Sequence, residues 1–424
     1  MQGDLSQRDL ARVTRPADLK ILVLTPRVLY PTDTGGRIRS LRIFERLSRW
    51  HELTLLCFRT SDDTPERLEL MRRFCALETV DWSETTKSGT RFRFDLARSI
   101  ASPLPYTVAK YRSEAMIQRL SALLGSQPYD LLVCDFLQPS INCLSLRFRP
   151  AILFQHNVET TIRRRLTAVA SNPLAKAFLR QDTAKLQRFE RRAAASFDHC
   201  IMVSEDDCRT MARLHGVEQT SAIPTGIDTD YFRPMSVTGH ETTLVFAGSM
   251  DMLANEDAVR FFVRDVLPRI RRELPVTLII AGRNPTPAVV NLAGDPHVTV
   301  TGTVDDIRPF LAGAQLMVVP LRAGGGTRLK IFEAMAMGLP VVSTPMGAEG
   351  LPVTDGVDIV LAATAGSFAD AVIRLLRDPG ERARLGVAGR NLVSSGYSWD
   401  RAAGGFSDIC VDVVRRSQNP GRSG

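Results

Sequence analysis

No apolar run in this sequence is long enough to cross a membrane. The longest, such as AQLMVVP and VTLIIAG, fall far short of the roughly 20 residues that a bilayer requires. The amino-terminal residues are polar and lack the apolar centre of a secretory signal peptide. Cysteine is scarce, and the seven cysteines lie mostly inside apolar segments without the spacing of metal ligands. We therefore expect reduced thiols, no bound metal ion and a cytoplasmic protein.

Several motifs of catalysis and cofactor binding are also missing. The sequence has no P-loop and no pattern typical of a Ser-His-Asp triad. The G-x-G-x-x-G fingerprint is absent after the first apolar segment, ILVLTPRVLYPTDTGG, whose glycines come late. This absence argues against an enzyme that binds NAD. No nucleic-acid-binding motif is present either, so we expect no nucleic-acid partner.

Positive charge is in excess and is concentrated in the first half of the chain. The net charge is +8, and residues 18–225 hold 31 Lys and Arg against 23 Asp and Glu. Residues 160–192 alone carry nine cations and two acids, and residues 87–112 add six cations among apolar side chains. Such a surface is either a solvated helix face or a docking site for an anionic acceptor or membrane. The inner face of the plasma membrane is therefore an alternative location.

Short apolar segments alternate with helical patterns along the chain. There are eleven of them, which is too many for one ordinary domain, and continuous apolar strands between helices are typical of parallel sheets covered on both faces. The Pro- and Gly-rich stretch IPTGIDTDYFRPMSVTGHET separates two series of strands. We therefore predict an α/β protein with an N-terminal domain at 18–225, a linker at 226–240 and a C-terminal domain at 241–394.

One segment, GGGTRLKIFEAMAMGLPVVSTPMGAEG, has the composition of an anion-binding site. Its glycines, Gly324–Gly326, follow the apolar strand QLMVVP and so lie at the carboxyl edge of a sheet, where ligands bind. Glycines admit an anion close to the backbone, Thr327 is placed to cap the helix that follows, and Arg328 and Lys330 add positive charge. A carboxylate at Glu333 either favours the helix dipole or accepts both hydroxyls of a ribose.

The same segment resembles the donor-site signature of the group 1 family of retaining glycosyltransferases, which have the GT-B fold. TGG at 34–36, IPTGIDTDYFRP, FAGSMDMLANEDAVRFF and YSWD resemble further family segments in the same order. The resemblance implies two Rossmann-like, doubly wound domains facing a cleft, with a helix at 395–418 that crosses back to the first domain. It also implies transfer of a sugar from a nucleotide diphosphate sugar to an acceptor hydroxyl with retention, without a metal, in cell-surface or exopolysaccharide synthesis.

The resemblance assigns expected roles to particular residues. The donor is expected to contact Gly35, Gly36, Gly325, Gly326, Thr327, Leu329, Glu333, Gly347, Ala348 and Glu349. Arg328 and Lys330 are expected to hold the leaving diphosphate, and His156, at the end of the segment AILFQH, to position the substrate or contact a sugar hydroxyl. The acceptor-side candidates are Asp33, Arg37, Asp135, Asn157 and Glu159, and the acceptor itself is expected to be a saccharide, a lipid-linked one included.

Two departures from the family pattern leave alternatives open. The family's first donor-site acid is replaced here by Gly325, and no Arg/Lys pair follows the first strand of the second domain. A nucleotide-sugar 2-epimerase of the same fold would use the same diphosphate pocket without an acceptor. A non-catalytic protein that binds nucleotide sugars is the other alternative. Product analysis with the donor alone distinguishes an epimerase from a transferase.

Overall fold

Two parallel β-sheets organise the chain in the computed structural model. The structure describes residues 18–32, 34–83, 99–146, 148–170, 172–235, 242–323 and 329–418. The first sheet has the order β3-β2-β1-β4-β5-β6-β7 and comprises β1 Lys20–Thr25, β2 Glu52–Arg59, β3 Ala76–Asp81, β4 Leu131–Asp135, β5 Ala151–Phe154, β6 His199–Met202 and β7 Thr220–Ala222. The second has the order β10-β9-β8-β11-β12-β13 and comprises β8 Thr243–Ala247, β9 Thr277–Ala281, β10 Val298–Gly302, β11 Leu316–Val319, β12 Val341–Ser343 and β13 Val360–Leu361.

Helices follow most strands and cover both faces of each sheet. In the N-terminal domain they are α1 Gly35–Leu47, α2 Pro65–Arg72, α3 Tyr106–Ala109, α4 Glu114–Ser126, α5 Glu159–Val169, α6 Pro173–Ala194 and α7 Glu205–His215. In the rest of the chain they are α8 Leu253–Phe261, α9 Leu267–Arg271, α10 Pro287–Val290, α11 Arg308–Ala312, α12 Leu329–Ala336, α13 Ala365–Arg377, α14 Pro379–Gly396 and α15 Trp399–Gln418. The expectation of two doubly wound parallel-sheet domains is confirmed.

Two of these strands lack the continuous apolar run that marks the others in the sequence. The strand β3, with the sequence ALETVD, lies at one edge of the first sheet and is only partly buried, so it lacks a continuous apolar run. The strand β7 has three half-buried residues at the opposite edge. Each of the eleven predicted segments contains a strand of the structure. Most of these strands are buried on both faces, so each appears in the sequence as a continuous apolar run.

Local signals define the helix ends. In α7, the Ser204 hydroxyl accepts a hydrogen bond from the Asp207 N–H at 3.2 Å, and three acids occupy the first turn, where the helix dipole favours them. Gly216 closes the helix with φ of 67°, a left-handed conformation that glycine adopts without strain. The helix therefore begins and ends where its sequence predicts.

The chain passes between the domains twice, and the two passages touch. The Ile227 N–H donates to the Tyr397 carbonyl at 2.7 Å, and a Cβ on Gly226 would lie 2.7 Å from the backbone of Trp399. Beyond this contact, α15 packs on α1, with the Phe406 ring centre 6.2 Å from that of Phe44. The last described helix therefore belongs to the core of the N-terminal domain.

Candidate active site

A glycine turn opens α1 at the carboxyl edge of the first sheet. The helix begins at Gly35, and the Thr34 hydroxyl accepts a hydrogen bond from the Arg37 N–H at 3.4 Å. A Cβ on Gly36 would lie 2.7 Å from the ring of Phe136, so this position requires glycine. Phe136 has φ of 68°, a conformation that bulky residues rarely adopt. The two predicted glycines thus form a helix N-terminus of the kind that binds anions.

His156 lies behind this turn and is buried. Its Nε2 lies 2.8 Å from Asp135 Oδ1 and 3.3 Å from Ser40 Oγ, and its Nδ1 lies 3.5 Å from the Arg39 guanidinium. Burial lowers its pKa below the usual value, against the opposing effect of Asp135, so the neutral ring is favoured. The ring also stacks on Phe136 at 3.9 Å between centres. Because both ring nitrogens are engaged within the domain, contact of His156 with a sugar stays a prediction.

Arg39 is a buried cation that the sequence analysis did not single out. Its guanidinium donates to the carbonyls of Gln155, Met202 and Ile223, at the ends of β5, β6 and β7. Burial lowers its pKa to about 9, so it remains charged at neutral pH. It thereby fixes α1 to the edge where the glycine turn lies. The burial of Arg39 could have been predicted from the sequence, because Arg39 precedes the apolar Ile43 by four residues and so shares its face of α1.

The described part of the donor segment is helix α12. Of the predicted site residues, Asp33, Gly325, Gly326, Thr327 and Arg328 lie outside the described residues. Leu329 is buried in the apolar cluster of the N-terminal domain. Lys330 Nζ donates to Asn255 Oδ1 at 2.9 Å and lies 4.4 Å from the centre of the Phe246 ring. A Cβ on Gly248 would lie 2.8 Å from the same Nζ, so this cation is at the carboxyl end of β8.

Glu333, one turn further along α12, has acceptor oxygens to spare. Within the described part of the chain, no hydrogen-bond donor or ion-pair partner reaches its carboxylate. Burial raises its pKa to about 7, and Lys330 opposes that shift. A half-buried carboxylate without hydrogen-bond donors is costly unless a ligand supplies them. The hydroxyls of a ribose are donors of this kind.

A second cation reaches the same place from the neighbouring strand. Arg283 follows β9, and its Nε donates to Ser249 Oγ at 3.0 Å just beyond β8. The Asn255 side chain, which binds Lys330, also donates to the Ser249 carbonyl at 2.8 Å. The positive charge that the sequence did not show after β8 therefore comes from α12 and from the end of β9. Proximity of these residues depends on strand order, which a single sequence does not reveal.

The turn at 347–350 follows β12 and is tightly built. The Gly347 N–H donates to Thr344 Oγ1 at 2.9 Å, and a Cβ on this glycine would overlap the Ser343 hydroxyl. Ala348 is buried. Glu349 extends from the turn toward the N-terminal domain. The predicted donor-sugar residues thus share one turn at the carboxyl edge of the second sheet.

Asn157 and Glu159 lie at the start of α5, and Asn157 lines a cavity together with Glu349 of the C-terminal domain. Burial and the charge of Glu190 raise the Glu159 pKa to about 7, against hydrogen bonds from Gln138 and Asn157. Glu190 is fully buried and accepts hydrogen bonds from the N–H groups of Glu159 and Thr160 at 2.9 and 3.0 Å, which caps α5. This capping acid could not be found from the sequence, because it lies on α6, about thirty residues further along the chain.

The basic segment 160–192 divides into engaged and exposed cations. Lys185 is buried and donates to the Ser99 carbonyl at 2.7 Å, while Arg163 lies 3.8 Å from Asp182. Exposed cations of α5 and α6 are Arg164, Arg180, Arg188, Arg191 and Arg192. Beside them Leu174 is 83% exposed at the start of α6. Some cations of the predicted basic face are thus bound within the N-terminal domain. In the second basic segment, 87–112, the residues up to 98 lie outside the described residues.

Two cavities lie along these edges. One of about 70 Å³ is lined by both domains, including Asn157, Arg165, Asp207 and Glu349. Another of about 830 Å³ lies beyond β2 and β3 and is lined by polar residues and Trp82. In the part of the chain that the structure describes, no helix has the length and apolar character needed to span a bilayer.

Family models match both domains. Residues 241–378 match the model described as glycosyl transferases group 1, and residues 35–231 match glycosyltransferase family 4. A 44.6 kDa protein in the cps region of Klebsiella pneumoniae is 23% identical over 367 residues, which are 84% of this chain and 90% of that protein. A GDP-mannose-dependent alpha-(1-6)-phosphatidylinositol monomannoside mannosyltransferase of Mycobacterium tuberculosis is 30% identical over 216 residues, 44% of this chain and 54% of that protein.

Solved structures show the same architecture. Sucrose-phosphate synthase from Thermosynechococcus elongatus aligns with a TM-score of 0.71 at 17% identity, covering 92% of this chain and 97% of that one. At this identity the likeness concerns the fold. The expected GT-B fold is confirmed.

Proposed function

Because the chain belongs to the group 1 family of glycosyltransferases and acts on nucleotide sugars, we propose that it transfers a sugar to a saccharide hydroxyl with retention. The observation that carries the proposal is the arrangement at the carboxyl edge of the second sheet. Lys330 and Arg283 bring positive charge to the end of β8, and one turn away Glu333 offers acceptor oxygens that no donor of the described residues reaches. A diphosphate binds to such positive charge, and the hydroxyls of the ribose beside it donate hydrogen bonds to such oxygens.

The proposed reaction uses these positions. The bond between the anomeric carbon and the diphosphate oxygen breaks while the acceptor oxygen bonds to the same face of that carbon. The acceptor proton passes to the leaving diphosphate, whose growing charge Lys330 and Arg283 stabilise. No divalent metal is required by this scheme, since side chains supply the charge. The glycine turn at Gly35 and Gly36 lets the diphosphate and the acceptor approach the backbone of α1.

The acceptor is proposed to be a saccharide of a cell-surface polysaccharide, including one linked to a lipid. The similarity to a protein of a cps region supports this role. The test is incubation of the protein with UDP- and GDP-sugars, each with and without saccharide acceptors, followed by product analysis. A new glycoside with retained configuration is expected. An epimerised nucleotide sugar formed without an acceptor would show that the protein is a 2-epimerase, and tight binding without turnover would favour the non-catalytic alternative.

Glu333→Gln should mainly raise the KM for the donor, by about tenfold or more, because a ribose contact holds ground state and transition state alike. The wild-type KM should also rise as the pH falls below about 7, where the carboxylate becomes protonated. The variant should lack this dependence. Steady-state kinetics across pH measures both effects, with the exposed Glu273→Gln as a control. A collapse of kcat at saturating donor would instead place Glu333 on the transferred sugar.

Glu333→Gln should also change the stability of the folded protein. Since the folded state raises the pKa of Glu333, it binds more protons than the unfolded state between about pH 4.5 and 7, and its stability falls as pH rises through that window. Above pH 7 the glutamine variant should therefore melt at a higher temperature than the wild type. A higher melting temperature together with weaker donor binding would mark Glu333 as a ligand-binding acid.

We also propose that α6 docks on anionic membrane near its lipid-linked acceptor. Support comes from the exposed Leu174 and the exposed cations of α6, among them Arg180. Removing one such cation should weaken binding to anionic vesicles about fivefold, since each contributes about 1 kcal/mol. Co-sedimentation of Arg180→Ala tests this, with Arg374→Ala of the C-terminal domain as the control. Equal binding of the wild type to neutral and anionic vesicles, or none at low salt, would contradict the proposal.

A further inference from the structure

One ion pair connects the two domains across the cleft. Arg165 on α5 donates through both terminal nitrogens to both oxygens of Glu349, at 2.6 and 2.5 Å. The two side chains are 24% and 41% exposed, so the pair lies at the rim of the cleft. Two parallel hydrogen bonds make the geometry specific, because the guanidinium fork matches the carboxylate in one orientation.

Both partners belong to elements that the reaction uses. Glu349 directly follows Gly347 and Ala348 in the turn expected to lie by the donor sugar. Arg165 lies on α5, which begins at Glu159, one of the predicted acceptor-side residues. The two domains also come close together at Gly350, because a Cβ on this glycine would lie 3.3 Å from Ser204 Oγ of the N-terminal domain. The pair therefore joins the donor-sugar turn to the acceptor-side helix.

The chain connects the two domains at one place in the described residues. The chain crosses between them through the linker and through the Tyr397–Trp399 passage, which lies against Gly226. Two domains joined in this way move relative to each other unless their interface is extensive. A bidentate contact between elements of the two domains shifts the balance toward the closed arrangement.

We propose that Arg165 is a positioning residue that holds the donor-sugar turn against α5 by pairing with Glu349. In the closed arrangement the donor sugar and the acceptor hydroxyl lie on facing edges of the cleft. When the pair breaks, the turn moves away with its domain and the reacting atoms separate. This inference rests on the proposed function for its kinetic consequence, although the domain arrangement can be measured without it.

The test is a charge swap. Arg165→Glu places two carboxylates at the rim and should lower kcat/KM about tenfold, within the range typical of coupling between sites. Glu349→Arg should do the same, and the double variant Arg165→Glu/Glu349→Arg should recover most of the loss. The matched control is Arg164→Glu, the neighbouring residue of α5, which is exposed and bonded to Gln187 at 2.9 Å. It changes the net charge equally without touching the cleft.

Small-angle X-ray scattering of the ligand-free proteins provides the second measurement. Arg165→Glu should increase the radius of gyration, and the swap should restore it. An unchanged radius, or a kinetic loss equal to that of Arg164→Glu, would overturn the inference. A swap as inactive as Glu349→Arg alone, with Arg165→Glu near wild type, would place Glu349 on the substrate instead. Failure of the proposed function would show differently, as a wild type that turns over no nucleotide sugar while its scattering still responds to the swap.

Discussion

Lys330→Met should lower kcat by about 10²- to 10³-fold while the protein remains folded. Lys330 Nζ lies beside Gly248 and is held by Asn255, at the end of β8 where the diphosphate is proposed to leave. Negative charge grows on the diphosphate as the glycosidic bond breaks, so this contact strengthens in the transition state. Both kcat and kcat/KM should therefore fall together. Methionine retains an apolar side chain of similar length but removes the ammonium group, which lies 4.4 Å from the centre of the Phe246 ring.

Steady-state kinetics at saturating donor, with circular dichroism to verify folding, measures this effect. The control is Lys20→Met, an exposed lysine at the start of β1 whose partner is Glu52. A variant with normal kcat and a raised KM would mean that Lys330 holds substrate and transition state equally. Unchanged kinetics would remove it from the site.

Among the described glycines of the C-terminal domain, Gly282 should be the one at which substitution by alanine destabilises the protein most. A Cβ at this position would overlap the carbonyl oxygen of Gly248. Both backbones are held by the sheet edge, because the Gly248 N–H donates to the Ala281 carbonyl at 3.0 Å and Gly282 N–H to the Gly302 carbonyl at 3.2 Å. Neither can retreat without losing those hydrogen bonds. We expect a loss of about 3 kcal/mol in the free energy of unfolding.

The same substitution should weaken donor binding, since Gly248 and Ser249 would move away from Lys330 and Arg283. Urea unfolding measures the first effect and a thermal-shift titration with UDP-sugars the second. Gly294→Ala is the matched control, because a Cβ there meets nothing within 4 Å. It should change stability by less than about 0.5 kcal/mol. Equal stability of Gly282→Ala and the wild type would contradict the argument.

The fold was predictable because its strands are continuous and buried. Segments such as LTLLCF pair on both sides and are covered on both faces, so their apolar character is unbroken. The edge strands β3 and β7 are half-exposed, and their sequences carry no such signal. Burial on both faces, rather than strand formation itself, is what the sequence records.

The site was only partly predictable, because its charges come from separate strands. Glu333 and Lys330 could be found together, since they lie on one helix directly after a glycine run. Arg283 could not, because its place beside β8 depends on β9 being the neighbour. The pairing of Glu349 with Arg165 likewise depends on how the domains face each other. Single-sequence patterns record contacts along an element, whereas these contacts lie between elements.

The position of α15 determines the order in which the protein can be completed. Trp399, Phe406 and Val411 are part of the same apolar cluster as Phe44 and Phe154, although they are encoded at the opposite end of the chain. During synthesis the N-terminal domain leaves the ribosome before the C-terminal domain, yet its α1 face stays uncovered until α15 emerges. The core of the N-terminal domain can therefore be completed only after the donor-binding domain, which lies between its two halves in the sequence, has been made.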